Sequence, residues 1–239
     1  MLMSPAHLQP ASGGSPPSGS YLYADWEESD DSDGKDLFTE IKSTTSGSDG
    51  STKVNRSADW SSHGSCGAKL STAWAYVHTI LVKENGTGGS SDFDIRMNFR
   101  HKANQDEKFG LCWGADWDSD PDYVGGILLW YDDDGNDLWL SAFETDGVPK
   151  FYSEIDVDSN IGALTDGSLY KLHLNITISG GTATITGEIL NSTDTQIGSV
   201  SGSISTSGMT DDISFLIYSE ASGAGNEAIA DEMEVVVND

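Results

Sequence analysis

The sequence predicts an all-β protein, a large sandwich of two packed antiparallel sheets. Three observations carry that prediction. Several segments alternate apolar and polar residues with a period of two, tight-turn dipeptides separate them, and no stretch sustains the 3.6-residue period of an amphipathic helix.

The elements follow in chain order. Phe93, Ile95, Met97 and Phe99 alternate with Asp94, Arg96, Asn98 and Arg100, which predicts a strand with one buried face. Tyr170, Leu172, Leu174, Ile176 and Ile178 alternate with Lys171, His173, Asn175 and Thr177. Gly180-Gly181 then predicts a tight hairpin into Thr182 to Leu190. Ile213, Phe215 and Ile217 form another inward set, and Met233, Val235 and Val237 share one side of a last strand from Ala230. Asp134-Gly135, Asp146-Gly147 and Asp166-Gly167 mark turns. About ten strands are expected between Trp74 and Asp239 and roughly three more between Tyr21 and Leu70. Ser219 to Ala228 reads as a Gly/Ala-rich loop. So many strands suit a large jelly roll better than a seven-stranded immunoglobulin sandwich.

Composition narrows the partners. The chain has 239 residues, 39 of them Asp or Glu against 12 Lys or Arg, for a net charge of −27. Aspartate supplies 27 of the acids and glutamate 12, dispersed over many turns. Such a chain repels itself in dilute buffer, and molar salt, with a screening length of about 3 Å, removes most of that repulsion. The pattern resembles proteins of halophilic archaea. Nucleic acid is disfavoured as a partner because phosphate contact needs a basic face. No segment reaches the roughly 20 apolar residues that span a bilayer, so no membrane insertion is expected.

The first twenty residues, rich in Pro, Gly and Ser, read as a flexible arm without the basic and apolar regions of a secretory signal. Residues 21–239 read as one domain. Cys66 and Cys112 suit either one disulfide or two buried thiols. The five histidines show no zinc spacing. Sequons occur at Asn55, Asn85, Asn175 and Asn191; those at Asn85 and Asn191 fall in expected turns and are open to modification if the chain is exported.

Four segments together bear a family resemblance. Tyr23 to Glu28 is similar to the "DdFEd" opening of concanavalin A-like (LamG-like) jelly-roll domains, and Ser62 to Leu70 to their "hGsyslkl" strand. Asp166 to Leu174 resembles their "dgtWYrlrl" strand and Ile229 to Val237 their closing "fDdvrv" strand. All four fall in the family's order. The resemblance implies two packed antiparallel sheets and one structural calcium held by Glu27, the Gly64 carbonyl and Asp231. Calcium takes six to eight oxygens, so these three do not complete a site. Lectins, glycan-binding modules, glycosidases and virion adhesion proteins share the family's fold, which therefore does not select a function.

Two clusters are candidates for chemistry. Glu154, Asp156 and Asp158 approach the E-x-D-x-x-E strand motif of glycosidases on this fold, where alternate residues share a face, but the second Glu is missing. No catalytic residue is therefore expected. Asp116 to Asp122 and Asp132 to Asp134 are acidic runs that read as solvated loops, with weak cation binding as the alternative; the first fails the EF-hand pattern, with Pro121 at its Gly position and Ile127 at its Glu position. Trp113, Trp117, Tyr123, Trp130, Tyr131 and Trp139 crowd one part of the chain. Aromatic rings beside carboxylates suit sugar recognition, the ring packing on C–H groups while polar groups bond hydroxyls. Trp130 and Tyr131 are adjacent on a strand and must face opposite ways. Trp113 and Trp139 are expected in the core, and Trp117, Tyr123, Tyr131 and Asp118 are the expected ligand contacts.

The sequence thus points to a non-enzymatic surface module, a virion structural or host-adhesion protein of a halophilic archaeal virus with a glycan or host-surface partner. A secreted haloarchaeal lectin-like domain and a glycosidase are the alternatives. Location on a virion or extracellular surface and contact with other virion proteins are part of this expectation. Edge strands of such a sandwich could also pair with another copy of the chain.

Overall fold

A computed structural model of the chain describes residues 20–24, 40–43, 54–57, 67–72, 79–85, 92–100, 107–117, 123–124, 126–143, 152–206, 213–221 and 226–238. In chain order the strands are β1 (Ser20–Ala24), β2 (Glu40–Ser43), β3 (Val54–Ser57), β4 (Gly67–Thr72), β5 (Thr79–Asn85) and β6 (Asp92–Arg100). There follow β7 (Glu107–Trp117), β8 (Tyr123–Val124), β9 (Gly126–Asp132), β10 (Asp137–Phe143) and β11 (Tyr152–Asp158). The last five are β12 (Leu169–Ser179), β13 (Thr182–Asn191), β14 (Gln196–Ser205), β15 (Ile213–Ala221) and β16 (Asn226–Asn238). No helix occurs among the described residues.

The strands form two antiparallel sheets. The first runs β14-β13-β12-β6-β16-β4-β3, with β1 also on β16; the second runs β11-β10-β9-β7-β15-β5-β2, with β8 on β7. The fold class read from the sequence is the one observed. Register follows from the period-two pattern, because a slip of one residue would turn every apolar side chain of a strand to water. Phe93, Ile95 and Met97 of β6 lie beside Ile176, Leu174 and Leu172 of β12, and all six are fully buried. Each such side chain contributes about 1.5–3 kcal/mol by leaving water.

Aromatic rings join the two layers. Phe93 of the first sheet meets Trp113 of the second at 5.4 Å between ring centres, and Phe99 meets Phe109 at 5.0 Å. On β14, glycines lie against isoleucine side chains from β11 and the segment after it. A Cβ on Gly202 would stand 2.2 Å from Ile155 Cγ2, and one on Gly198 2.8 Å from Ile161 Cγ2.

The strand count departs from the sequence estimate. The short β2, β3 and β8 carry too few residues to show an alternation, and the expected loop at 219–228 narrows because β15 reaches Ala221 and β16 begins at Asn226. Gly180 and Gly181 have φ of 58° and 79°, the conformation that their tight hairpin demands. Residues 1–19, the turn expected at Asp146-Gly147 and Cys66 lie outside the described residues.

Candidate functional site

The face of the second sheet that points away from the sandwich core is the candidate site. On β9, Ile127, Leu129 and Tyr131 enter the core, so Leu128 and Trp130 take the outer face. Trp130 lies opposite Trp139 of β10, and Leu128 opposite Ser141. The two indoles stack, 5.6 Å between centres with 17° between planes, and Trp130 Nε1 donates to Ser141 Oγ at 3.1 Å. Gly110 of β7 lies opposite Trp130 and makes this possible, since a Cβ there would come within 2.7 Å of Trp130 Cβ.

Leu128, Trp130 and Ser141 are buried, whereas Trp139 is half-buried. The Trp139 Nε1 atom is itself buried and has no hydrogen-bond partner among the described residues. Glu154 of β11 lies opposite Ser141 on this face and is exposed. The arrangement therefore places the stacked indoles, a buried hydroxyl and an exposed carboxylate on one sheet face.

A bulge decides what the carboxylates of β11 can do. The β10–β11 register slips between Leu140 and Ser141, which leaves Asp156 opposite Leu140 and Glu154 opposite Ser141. Leu140 belongs to the core and Ser141 to the outer face, so Glu154 and Asp156 do not share a face. Asp156 Oδ2 accepts from the Ser201 backbone N–H at 2.8 Å, and Asp158 Oδ2 from that of Ser199 at 2.9 Å. Both donors belong to β14, the edge of the opposite sheet. These two acids bond one sheet's edge to the other, and neither shares the outer face with Glu154.

The residues proposed from sequence separate. Tyr131 does not present its ring to a ligand: it is 1 % exposed, its hydroxyl donates to Asn136 Oδ1 at 3.1 Å, and it accepts from the Leu164 N–H at 3.4 Å. It ties the 132–136 turn to the segment before β12, and burial pushes its hydroxyl pKa up. The reason is parity: the residue beside an outward Trp130 has to face inward. Trp113 is in the core as expected, but Trp139 is on the outer face, because it pairs with Trp130.

Trp117 and Tyr123, expected in a loop, are register partners where β7 meets β8. The β7–β15 register slips so that Trp113 lies opposite Phe215 and Ala115 opposite Ser214, which moves positions 115 and 117 to the opposite parity from 109, 111 and 113. Asp118 lies outside the described residues. Asp132 in the acidic turn accepts from the Asp134 N–H at 3.1 Å, a structural bond within the turn.

Of the expected calcium ligands, Glu27 and Gly64 lie outside the described residues; Asp231 is opposite Asn98, beside a bulge of β16. No group of three or more metal-ligating side chains occurs among the described residues.

The outer face of the first sheet carries a separate charged row. Glu234, Arg96, His173 and Glu188 follow one another across β16, β6, β12 and β13. His173 Nε2 stands 3.2 Å from Asp94 Oδ1, off the line of a well-directed hydrogen bond, and Nδ1 stands 3.4 Å from Glu188 Oε2. The Asp94 contact is the main reason that the His173 pKa rises, against the opposing effect of burial. Burial alone would raise the Asp94 carboxyl, but His173 and Arg96, whose Nε donates at 2.8 Å, together hold it below its usual value.

No family model matches the chain, and neither does any curated protein. Solved structures do. The marine PL-14 alginate lyase from Aplysia kurodai superposes with a TM-score of 0.59 at 9 % identity, over 85 % of this chain and 93 % of that one. Lectin II from Ulex europaeus gives 0.53 at 9 % identity, over 84 % and 99 %. The CBM2 module of the evolved Dit of Lactobacillus casei BL23 phage J-1 gives 0.51 at 11 % identity, over 91 % and 95 %. These likenesses show the fold: a concanavalin A-like jelly-roll sandwich.

Proposed function

We propose that the chain is a non-enzymatic glycan-binding module whose ligand packs on Trp139 at the outer face of the second sheet. The observation that carries this reading is the stacked Trp130–Trp139 pair, with exposed Glu154 opposite Ser141 on the same face. An indole offers a sugar ring its C–H contact, and the carboxylate accepts from hydroxyls. Trp117 and Tyr123, register partners where β7 meets β8, are proposed as further ligand contacts. Lectins among the similar structures support glycan binding at the level of the fold.

The test is a glycan array in molar salt with the wild-type chain and Trp139→Ala. Binding that falls at least about tenfold in the variant is the expected outcome, a loss of about 1.4 kcal/mol or more. Equal binding by both proteins would reject the site. The split of Glu154 from Asp156 supports the non-enzymatic part of the reading. Incubation with polysaccharides, alginate included, should release neither reducing ends nor unsaturated uronates.

Placement on a virion or extracellular surface, as a structural or host-adhesion protein, belongs to the same proposal. The net charge of −27 and the likeness to a phage Dit module support it. Purified virions that lack the chain would count against the viral setting. A calcium at Glu27, the Gly64 carbonyl and Asp231 is proposed with it; a melting temperature unmoved by chelator and by added calcium would remove the ion.

A further inference from the structure

The hairpin between β13 and β14 carries the sequence Asn191-Ser192-Thr193, one of four N-x-[ST] sequons in the chain. Asn191 is the last residue of β13, opposite Tyr170 of β12, and its side-chain oxygen organises the turn that follows. Asn191 Oδ1 accepts from the Thr193 N–H at 2.9 Å, the Thr193 hydroxyl at 2.8 Å and the Thr195 N–H at 3.0 Å. The side-chain carbonyl is held on the inner side of the turn, while Nδ2 donates to nothing among the described residues. Ser192 to Thr195 are all exposed. The Asp194 N–H donates to the Asn191 carbonyl at 3.0 Å, the Asp194 φ is 60°, and its carboxylate pairs with Lys171, so the loop is a defined projecting tip.

The sequon at Asn175 is placed differently. Asn175 sits in the middle of β12, opposite Asp94 on one side and Thr186 on the other, so its backbone is enclosed by two neighbouring strands. A transferase could reach that backbone only by opening the sheet. Asn55 lies within β3 opposite Lys69, and Asn85 ends β5 opposite Ile213.

We infer that Asn191 is a site of N-linked glycosylation in the folded protein, with an activated oligosaccharyl polyprenyl phosphate or diphosphate as donor. In the transfer a bond forms between Nδ2 and the anomeric carbon of the donor sugar. The anomeric C–O bond breaks, its electron pair leaves with the phosphate, and one Nδ2 proton passes to a base of the transferase. The three donors on Oδ1 draw electron density toward oxygen and acidify the Nδ2 protons, one of which must be lost. Asn191 ends its strand, and the exposed residues 192–195 beside it leave the sequon open to the enzyme on the turn side. This inference is independent of the proposed glycan-binding face.

The experiment incubates the folded full-length chain with an N-x-[ST]-specific oligosaccharyltransferase and lipid-linked oligosaccharide, then maps glycopeptides by mass spectrometry. Glycan on Asn191 is expected, retained in Thr193→Ser and absent from Thr193→Ala. Asn191→Asp is the decisive variant, because it keeps the acceptor oxygen that organises the turn while removing the nitrogen. It should melt as the wild type does and lose the Asn191 glycan completely. A folded chain that stays unmodified at Asn191, while the urea-unfolded chain accepts glycan there, would overturn the inference. So would modification of the folded chain at Asn175 without modification at Asn191.

Discussion

Asp156 of β11 accepts a hydrogen bond from the Ser201 backbone N–H of β14 at 2.8 Å, bonding the edge of one sheet to the edge of the other. Asp158 does the same for Ser199 at 2.9 Å. An edge strand exposes unpaired donors that invite pairing with another chain, and inward-pointing acids are one way to blunt it. Here the acids also take up two of those donors. Asp156→Ala and Asp158→Ala should each cost about 1 kcal/mol in denaturant unfolding. The double variant should also self-associate, as sedimentation would show, whereas the Asn variants, which keep an acceptor oxygen, should stay close to wild type.

The same edge depends on Gly202. A Cβ there would meet Ile155 Cγ2 at 2.2 Å, a distance that side chains do not tolerate. Gly202→Ala is expected to lose about 1–3 kcal/mol through overpacking. Adding Ile155→Ala should recover part of that loss, because it removes the clashing methyl. A double-mutant cycle by chemical denaturation checks the coupling.

His173 makes stability depend on pH in a defined direction. Its pKa in the folded protein lies above the ordinary 6.5, so the folded state holds the proton more tightly than the unfolded state. The resulting stabilisation is complete below the unfolded value and is lost as pH rises through the folded value. Asp94 acts oppositely: with its folded pKa lowered, its contribution is present above the unfolded value and disappears on acidification. Between them lies a mildly acidic optimum for this row of charges. Melting curves of His173→Gln from pH 5 to 9 should lack the alkaline decline that the wild type shows, at constant salt.

Tyr131 and Trp139 are expected to fail differently. Tyr131→Phe removes a hydroxyl that serves Asn136 Oδ1 and the Leu164 N–H, and should lower stability by about 1–2 kcal/mol with glycan affinity unchanged. Trp139→Ala should lose affinity. Unfolding and binding measured on both variants separate a core role from a surface one.

The first sheet was legible in the sequence where its strands are long. β6 and β12 alternate over 9 and 11 residues, enough for the pattern to declare one buried face. β2 and β3 are four residues each and β8 is two, too short for any period to register. The aromatic cluster was legible as a cluster, and the opposition of Trp130 and Tyr131 as a parity rule. Which of the two faced the core was not, since both rings are apolar enough for either environment.

Composition and alternation by themselves determined an acidic, all-β chain with two apolar inner faces, because a period of two is a local property of strands. Only the tertiary structure decided the fates of Glu154, Asp156 and Trp139. Bulges and cross-strand register set those outcomes. One extra residue in β11 sends Glu154 outward and Asp156 to the opposite sheet's edge, and pairing with Trp130 holds Trp139 on the outer face. A bulge leaves no mark in the pattern of a single strand, because it exists only between a strand and the partner against which its residues are counted.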